Sequence, residues 1–450
     1  MTEKAVGGRI DVVRPQLPSF PEQINLRSVL LAIMAVGTIG LTWLLLNTMM
    51  KQPFEPNDDL IWFTKLRHQS FLELPLSAAW MLSSPFYRPV AEIFLKSLYA
   101  IFGMERAGYR AVQFGCFLLL MWLGYLSFRK LRLPWEASLL LVSFSLGSPF
   151  LTGSIVWISE LPHVIVVISF AASLTVVLSE RSHSVKLTLC AMAFAVALLS
   201  KENGLALGAF YLYFLRSLPM RATVVFGGII AVYLLFRALV LGPSIGAGGV
   251  NESVGYLFDY LSQAERQATF PGNAVYNLYV YNVAAQLGAL LFRATQWGII
   301  ISHVTYHALL HTASTILIVI GLVVWKRQRN LPIWLVVILI MILGGTVFSY
   351  SYARDRHLAL PAYAYGTLLV ICACEIGRST RSRLAATSII FSLWLSWSYE
   401  AYRTLILMPG SALEVVEKSY APYPDVQNHQ VDADIWELAR QDALKIQQAR

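Results

Sequence analysis

The first chemistry-bearing residues in this sequence are two adjacent carboxylates, Asp58 and Asp59, in the run Phe54-Glu55-Pro56-Asn57-Asp58-Asp59. A neighbouring anion and partial burial both raise a carboxyl group's proton affinity, so such a pair suits a general base. The same letters also spell a turn that caps a helix starting at Leu60. Next comes Ser84-Pro85-Phe86-Tyr87-Arg88-Pro89, leading to Glu92 and Lys96. Spaced four residues apart, Arg88, Glu92 and Lys96 predict a ladder of ion pairs along one helix face. Arg88, at a helix start braced by proline, also suits a phosphate, because its planar fork donates to two oxygens at once.

Three further clusters follow. In Trp157-Ile158-Ser159-Glu160-Leu161-Pro162-His163 the proline is expected to break the helix and aim Glu160 and His163 at water. No second and third ligand accompany His163 at a metal-binding spacing, so no metal and no other cofactor is expected. Ser200-Lys201-Glu202-Asn203-Gly204 places two charges inside an apolar stretch, which marks a pathway or a site unless it is a plain turn. Arg354, Arg356 and His357 stand just before Leu358-Ala359-Leu360-Pro361, where they suit a phosphate or pyrophosphate or form a solvated basic loop.

The elements that must position these residues are membrane helices. The chain has 450 residues, of which 56% are hydrophobic and 14% charged, and its mean hydropathy is +0.58. Soluble domains carry about 25% charged residues, so a set of soluble domains is excluded. The four cysteines lie in apolar runs, which argues against a disulfide scaffold. A net charge of +9 suggests a nucleic-acid partner only if a basic soluble module exists, and none does. Basic loops retained in the cytoplasm explain the charge better.

A scan for runs of about 20 apolar residues marks 28–49, 108–128, 134–156, 161–179, 221–241, 305–325, 332–350, 358–376 and 384–404. The clusters Arg129/Lys130/Arg132, Arg181/Lys186, Arg216/Arg221, Lys326/Arg327/Arg329 and Arg378/Arg381/Arg383 fall on one side if 185–218 is a hairpin of two short spans and neither 86–103 nor 283–302 crosses. The expected fold is therefore an all-α polytopic membrane protein of about 11 transmembrane helices, within a range of 10–13. Residues 1–27, too polar for a cleaved signal, form a cytoplasmic segment; 28–405 form the transmembrane module. Within it, 50–107 is a first outer loop with juxtamembrane helices, and 242–304 is an outer or interfacial loop. Residues 406–450 form an extramembrane tail, with a weakly amphipathic helix over Asp432 to Gln448.

This topology puts acids and bases from distant loops on the outer face. A sugar on a lipid phosphate has a leaving group that is already acidic, so it needs positive charge rather than a proton, and the incoming hydroxyl needs only a base. That is half of the two-carboxylate arrangement of inverting glycosidases, with cations replacing the acid.

The motif order also resembles a known family. Asp58-Asp59, Tyr87-Arg88-Pro89, Phe102-Gly103 with Gly108-Tyr109-Arg110, Trp157-Ile158-Ser159, Ser200-Lys201-Glu202 and Arg356-His357-Leu358-Ala359-Leu360-Pro361 are similar to the GT-C glycosyltransferases. Within these, they resemble the branch of protein O-mannosyltransferases and bacterial relatives, over residues 28 to 370. The resemblance implies a GT-C-like fold in a bacterial inner membrane, with the active site facing the periplasm or exterior. It implies metal-free transfer of a sugar from a polyprenyl-phosphate-linked donor to a hydroxyl acceptor on a glycan, lipid or protein. By position, the resemblance gives Asp58 or Asp59 the catalytic acidic role and puts Arg88, Lys201 and Arg356 near the donor phosphate, to which the basic cluster adds Arg354 and His357 as phosphate-binding candidates. Tyr87, Arg110, Glu160, His163 and Glu202 support them. Trp-Ile-Ser is usually followed in that branch by Gly-Arg and an acid, where this chain has Glu160-Leu161-Pro162-His163.

Tyr276, Tyr279 and Tyr281 are the candidates for stacking on the acceptor or the donor sugar. The competing reading is a transporter or flippase for an anionic lipid-linked glycan. Transporters place polar groups at midplane in repeated, broken helices, whereas these charges gather at one end of the spans.

Overall fold

Apolar runs of this length satisfy their backbone polar groups in lipid only as helices or closed barrels, and these runs lack the alternation of barrel strands. The computed structural model accordingly shows a helical bundle. It describes residues 26–55, 58–76, 79–81, 84–241, 254–256, 259–261, 274–296, 299–325, 331–346, 355–379, 382–419 and 431–448.

In chain order the helices are α1 (Leu26–Met50), α2 (Asp58–His68), α3 (Pro89–Phe102), α4 (Arg106–Lys130), α5 (Glu136–Gly147), α6 (Pro149–Val156), α7 (Leu161–Val177) and α8 (His183–Ser200). They continue as α9 (Tyr211–Phe214), α10 (Pro219–Leu241), α11 (Ala274–Phe292), α12 (Tyr306–Trp325), α13 (Leu331–Thr346), α14 (Ala359–Ser379), α15 (Arg383–Ser419) and α16 (Ala433–Gln448). Short 3-10 helices precede α3, α7, α9 and α14, at Leu74–Leu76, Ile158–Glu160, Glu202–Phe210 and Asp355–Leu358. Strands are confined, among the described residues, to three antiparallel two-stranded ribbons. In the first of these, Ala79 faces Phe86.

Seven helices among the described residues are long and apolar enough to cross a membrane, and eight if the bent pair α5–α6 counts as one span. The chain is a multi-pass membrane protein. The pair α5–α6 bends by 74° at Ser148-Pro149, because a proline interrupts the hydrogen-bond ladder of the expected 134–156 span. The expected 185–218 hairpin folds back on itself, α8 descending and the 3-10 run returning along it. Its second arm is thus mostly a 3-10 run, with one short α-helical turn at α9. At about 2 Å of rise per residue, a 3-10 run covers more distance with fewer residues. The 86–103 stretch yields only α3, whose 14 residues are too few to cross. In the 283–302 stretch, α11 ends at Phe292 and a small ribbon pairs Thr295 with Ile300.

The core is centred on α14, in which every residue from Ala359 to Glu375 is buried. Around it α15 packs along α5 and α1, while α12 and α13 flank α14. A buried polar chain ties α12 to α15. His307 Nδ1 lies 2.9 Å from Glu400 and the Nε2 atoms of His307 and His311 are 3.1 Å apart. The expected tail boundary at 406 falls inside α15, which runs on to Ser419. Its 37 residues extend for about 55 Å at 1.5 Å each, well beyond a hydrocarbon core of about 30 Å.

The two ends of the bundle differ in chemistry. At one end Arg27 meets Glu136 at 3.2 Å and Thr387 at 3.2 Å, and Arg378 donates to the Arg132 carbonyl at 2.7 Å. At the other, a separate apolar layer joins Phe54, Trp62, Phe63 and Leu66 to Leu95, Leu98, Tyr109, Ile158, Leu161 and residues of α16. Gly103, with φ of +53°, ends α3 beneath this layer, its N–H donating to the Tyr99 carbonyl at 2.8 Å.

Candidate active site around the acidic pair

Asp58 and Asp59 open α2, two residues before the expected start at Leu60. The Asp59 N–H donates to the Glu55 carbonyl at 3.1 Å, the Glu55 N–H donates to Asp59 Oδ2 at 2.9 Å, and the Asp58 N–H is taken by the Glu55 carboxylate. These reciprocal bonds follow the logic of a capping box. Asp59 Oδ1 is also engaged, accepting from the Ser159 N–H at 2.8 Å. Asp59 is 1% exposed, and that burial pushes its pKa from the ordinary 3.8 up to about 6, against the pull of the Glu55 N–H, Arg110 and the Ser159 N–H. Asp58 retains 8% exposure.

Ser159 presents its N–H because the chain breaks there. Trp157 is extended, Ile158–Glu160 make one 3-10 turn, and Pro162 sits in the first turn of α7, where a missing N–H costs nothing. Early helical N–H groups have no intrahelical acceptor, and the Asp59 carboxylate supplies one. Glu160 and His163 do not face water as expected. The proline starts α7 rather than breaking it, so both side chains turn inward and are buried. His163 Nε2 is 3.0 Å from Glu160 Oε2, its Nδ1 is 3.4 Å from Asn203 Nδ2, and its ring centroid is 5.7 Å from that of His357. An amide nitrogen only donates, so His163 Nδ1 accepts and the ring proton sits on Nε2 beside Glu160.

The cations sort differently from the expected ladder. Arg88, buried at the start of α3, holds Glu202 through Nε at 3.3 and 3.2 Å and Nη2 at 2.9 Å. Glu92 pairs with Lys65 of α2 at 3.1 Å, and Lys96 donates to the Leu66 carbonyl. Spacing along one helix puts these residues on one face, but partners from neighbouring elements capture each of them. Burial raises the Glu202 carboxyl's proton affinity, yet the charges of Arg88 and Lys201 outweigh it and hold the pKa below the usual carboxylate range. Lys201, extended between α8 and the 3-10 run, also lies within electrostatic reach of His163.

Gly204 follows in this turn. A Cβ there would meet the backbone of Ala197 at 2.4 and 2.5 Å, which no side-chain rotation relieves. Gly204→Ala is expected to cost about 1–3 kcal/mol, read from thermal unfolding in detergent. At Gly208 the nearest atom is the Phe194 ring at 3.7 Å, so Gly208→Ala is expected to be tolerated.

Glu92 gives the site a pH signature. Its side chain is fully buried, and burial lifts its pKa from 4.5 to about 7 despite Lys65 and Arg88. The folded state therefore keeps a proton that the unfolded chain loses from pH 4.5 upward, and stability falls as pH rises to about 7. The stability of the parent relative to Glu92→Gln is expected to drop by about 3 kcal/mol across that window, measured as unfolding midpoints at pH 4.5, 6 and 7.5. A constant difference would count against it.

Arg110 is 1% exposed and donates to the carbonyls of Gln52 at 3.1 Å, Pro53 at 2.8 Å and Val156, and to Gln113 Oε1 at 2.9 Å. It stitches the chain entering α2 to the chain leaving α6, and so sets the Asp59–Ser159 meeting. Tyr87 is buried 6.1 Å from the Tyr233 ring. His357 lies in the 3-10 turn before α14 with Asp355, which pairs with Arg293 at 2.7 Å. Arg293, whose guanidinium also lies 5.0 Å from the Phe150 ring centroid, was not singled out from the sequence. An arginine closing an apolar helix is the signal that pointed to it. Arg354 and the side chains of Arg356, Tyr276, Tyr279 and Tyr281 lie outside the described residues.

The Ser159 turn thus joins two groups: Asp58, Asp59 and Arg110 on one side of it, and on the other Glu160 and His163, the latter beside His357 and within electrostatic reach of Lys201 and Arg88, with Glu202 held by Arg88. Among the described residues no group of three or more His, Cys, Asp or Glu side chains is placed to hold a metal ion.

No family model and no curated protein matches this chain. Among solved structures it is similar to the crystal structure of ArnT from Cupriavidus metallidurans bound to undecaprenyl phosphate, at 11% sequence identity and a TM-score of 0.38, over 94% of this chain and 88% of that one. A likeness so slight leaves function to be argued from the site.

Proposed function

We propose that this protein is an integral-membrane glycosyltransferase that moves a sugar from a polyprenyl-phosphate donor to a hydroxyl acceptor on the outer face of the membrane. The observation that carries the reading is a buried acidic pair, with Arg110 beside it, bound to the Ser159 turn that leads to His163, which itself lies within electrostatic reach of Lys201 and Arg88. A bundle built only to span lipid has no use for charges so costly to bury. The opposite end carries Arg27, Arg132 and Arg378, and retention of basic groups in the cytoplasm turns the acidic end outward.

In this reading Asp58 is the base and Asp59 its buried support. Asp59 has both oxygens on backbone N–H groups, whereas Asp58 is the member of the pair with more exposure. The acceptor oxygen attacks the anomeric carbon as its proton passes to the Asp58 carboxylate. The bond from that carbon to the phosphate oxygen breaks on the opposite side, its electron pair stays with the phosphate, and the configuration inverts. Arg88 and Lys201 balance the charge that develops there, a role suited to preorganised cations in a water-poor site. Arg354, Arg356 and His357 are proposed to lie near the same phosphate, and Tyr276, Tyr279 and Tyr281 near the acceptor or the sugar.

The test is incubation of the purified chain in nanodiscs with membrane extract as acceptor and a panel of radiolabelled polyprenyl-phosphate hexoses and pentoses. At least one donor is expected to release polyprenyl phosphate well above an Asp58→Asn control. If every donor stays intact, the transferase reading is wrong.

A further inference from the structure

The tail beyond the last long helix returns to the acidic pair. On α16 the residues Ile435, Trp436, Ala439 and Ala443 are buried, at spacings that place them on one helix face. That face joins the same apolar layer as Trp62, Phe63 and Leu66 of α2 and Ile158 of the turn that receives Asp59. Polar contacts rim the seam. Asp432 accepts from Arg67 at 3.4 Å and lies 2.9 Å from His68 Nε2, its N–H donates to Thr64 Oγ1 at 3.0 Å, and Asp434 also pairs with Arg67. Asp442 holds Arg106 at 2.7 Å, and Arg106 donates in turn to the Met50 carbonyl at the end of α1.

The helix that carries the acidic pair has few other supports. It has 11 residues, and its main contacts are with α3, the Ile158–Glu160 turn, the first ribbon and α16. None of these is a long membrane-spanning helix. The amino-terminal end of α2 is fixed by Asp59 through Glu55 and Ser159; the carboxy-terminal half is held on one side by α3, at Lys65 and Leu66, and on the other by the residues that open α16, at Thr64, Arg67 and His68.

We propose that α16 is a strap that positions α2, with Trp436 as the positioning residue, so that the acidic pair is held at the Ser159 turn by the last helix of the chain. Trp436 touches no reacting atom in this arrangement; it acts through Trp62, Phe63 and Leu66. The kinetic part of the inference rests on the transferase reading, and the structural part stands without it.

The test uses the full-length chain in nanodiscs. Trp436→Asp puts a charge into the seam, and Leu438→Asp puts the same charge on the exposed side of α16, where Leu438 is 50% accessible. Trp436→Asp is expected to speed amide hydrogen exchange of residues 58–68 and 158–160 at least tenfold while α14 stays protected. It is also expected to lower kcat for sugar transfer at least tenfold with the donor KM within about twofold. Leu438→Asp and Trp436→Phe are expected to resemble the parent in both respects. Unchanged exchange at α2 in Trp436→Asp overturns the strap, and so does loss of protection throughout α14, which would make α16 a general part of the core. If the parent transfers no sugar from any donor, the functional reading fails while the exchange result still decides the strap.

Discussion

Asp58→Asn is expected to lower sugar transfer about 10²–10⁴-fold, the usual worth of a positioned general base, with an unfolding midpoint close to that of the parent. Asp59→Asn is expected to lose transfer for another reason. The carboxylate of Asp59 accepts from two backbone donors, the N–H groups of Glu55 and Ser159, and it is 1% exposed. An amide keeps one acceptor oxygen and puts an N–H₂ group against the other donor. A buried donor left facing a donor costs about 1–3 kcal/mol, and the loss falls on the contact between α2 and the Ser159 turn. Paired thermal unfolding and single-turnover transfer separate the two roles. Parent-like transfer by Asp58→Asn removes it as the base; intact stability with lost transfer in Asp59→Asn moves the base to that residue.

The largest effect on stability is expected at Arg110. Arg110→Met leaves the carbonyls of Gln52, Pro53 and Val156 without their shared donor, in a place closed to water. Methionine has a similar length but no fork. Breaking a buried charged network of this kind costs about 3–5 kcal/mol. Arg110→Lys is expected to rescue little of this, because one ammonium cannot span acceptors that a planar guanidinium reaches from separate nitrogens. Arg110→Met also removes the cation that opposes the upward shift of Asp59, so that carboxyl is expected to bind its proton more tightly still. Unfolding midpoints of the two variants, and recovered yield from membranes, measure the first effect. A midpoint within a degree of the parent in Arg110→Met would show that the stitch is dispensable.

Much of this site is legible in the sequence because its residues sit at breaks. Asp58-Asp59 ends an apolar run, Pro162 interrupts another, and Lys201-Glu202-Asn203-Gly204 divides a third, so each is visible as a change of composition. Pairing is less visible. Arg88, Glu92 and Lys96 share a helical spacing, yet their partners are Glu202, Lys65 and the Leu66 carbonyl. Periodicity reports which side chains share a face and says nothing of what that face meets. Apolar composition is equally silent on the second arm of the hairpin, since an apolar run of that length is compatible with either a 3-10 run or an α-helix. The boundary placed at 406 marks a change of polarity, where a chain leaves lipid, and it falls inside α15 because a helix ends only where its backbone ladder does. Arg293 escaped notice within a stretch read as interfacial, although its pairing with Asp355 depends on burial.

The seam between α2 and α16 has a consequence for biogenesis. Arg67 and Asp432 are 365 positions apart in sequence, and Arg106 and Asp442 are 336 apart. Chains are made from the amino terminus, and contacts of such separation form only after nearly everything between them is in place. The acidic helix is made long before α16 and gains its contacts with it only afterwards. A ribosome that stalls anywhere before residue 433 therefore leaves α2 without its contacts at Thr64, Arg67 and His68, and synthesis of α16 becomes the step that completes the seam.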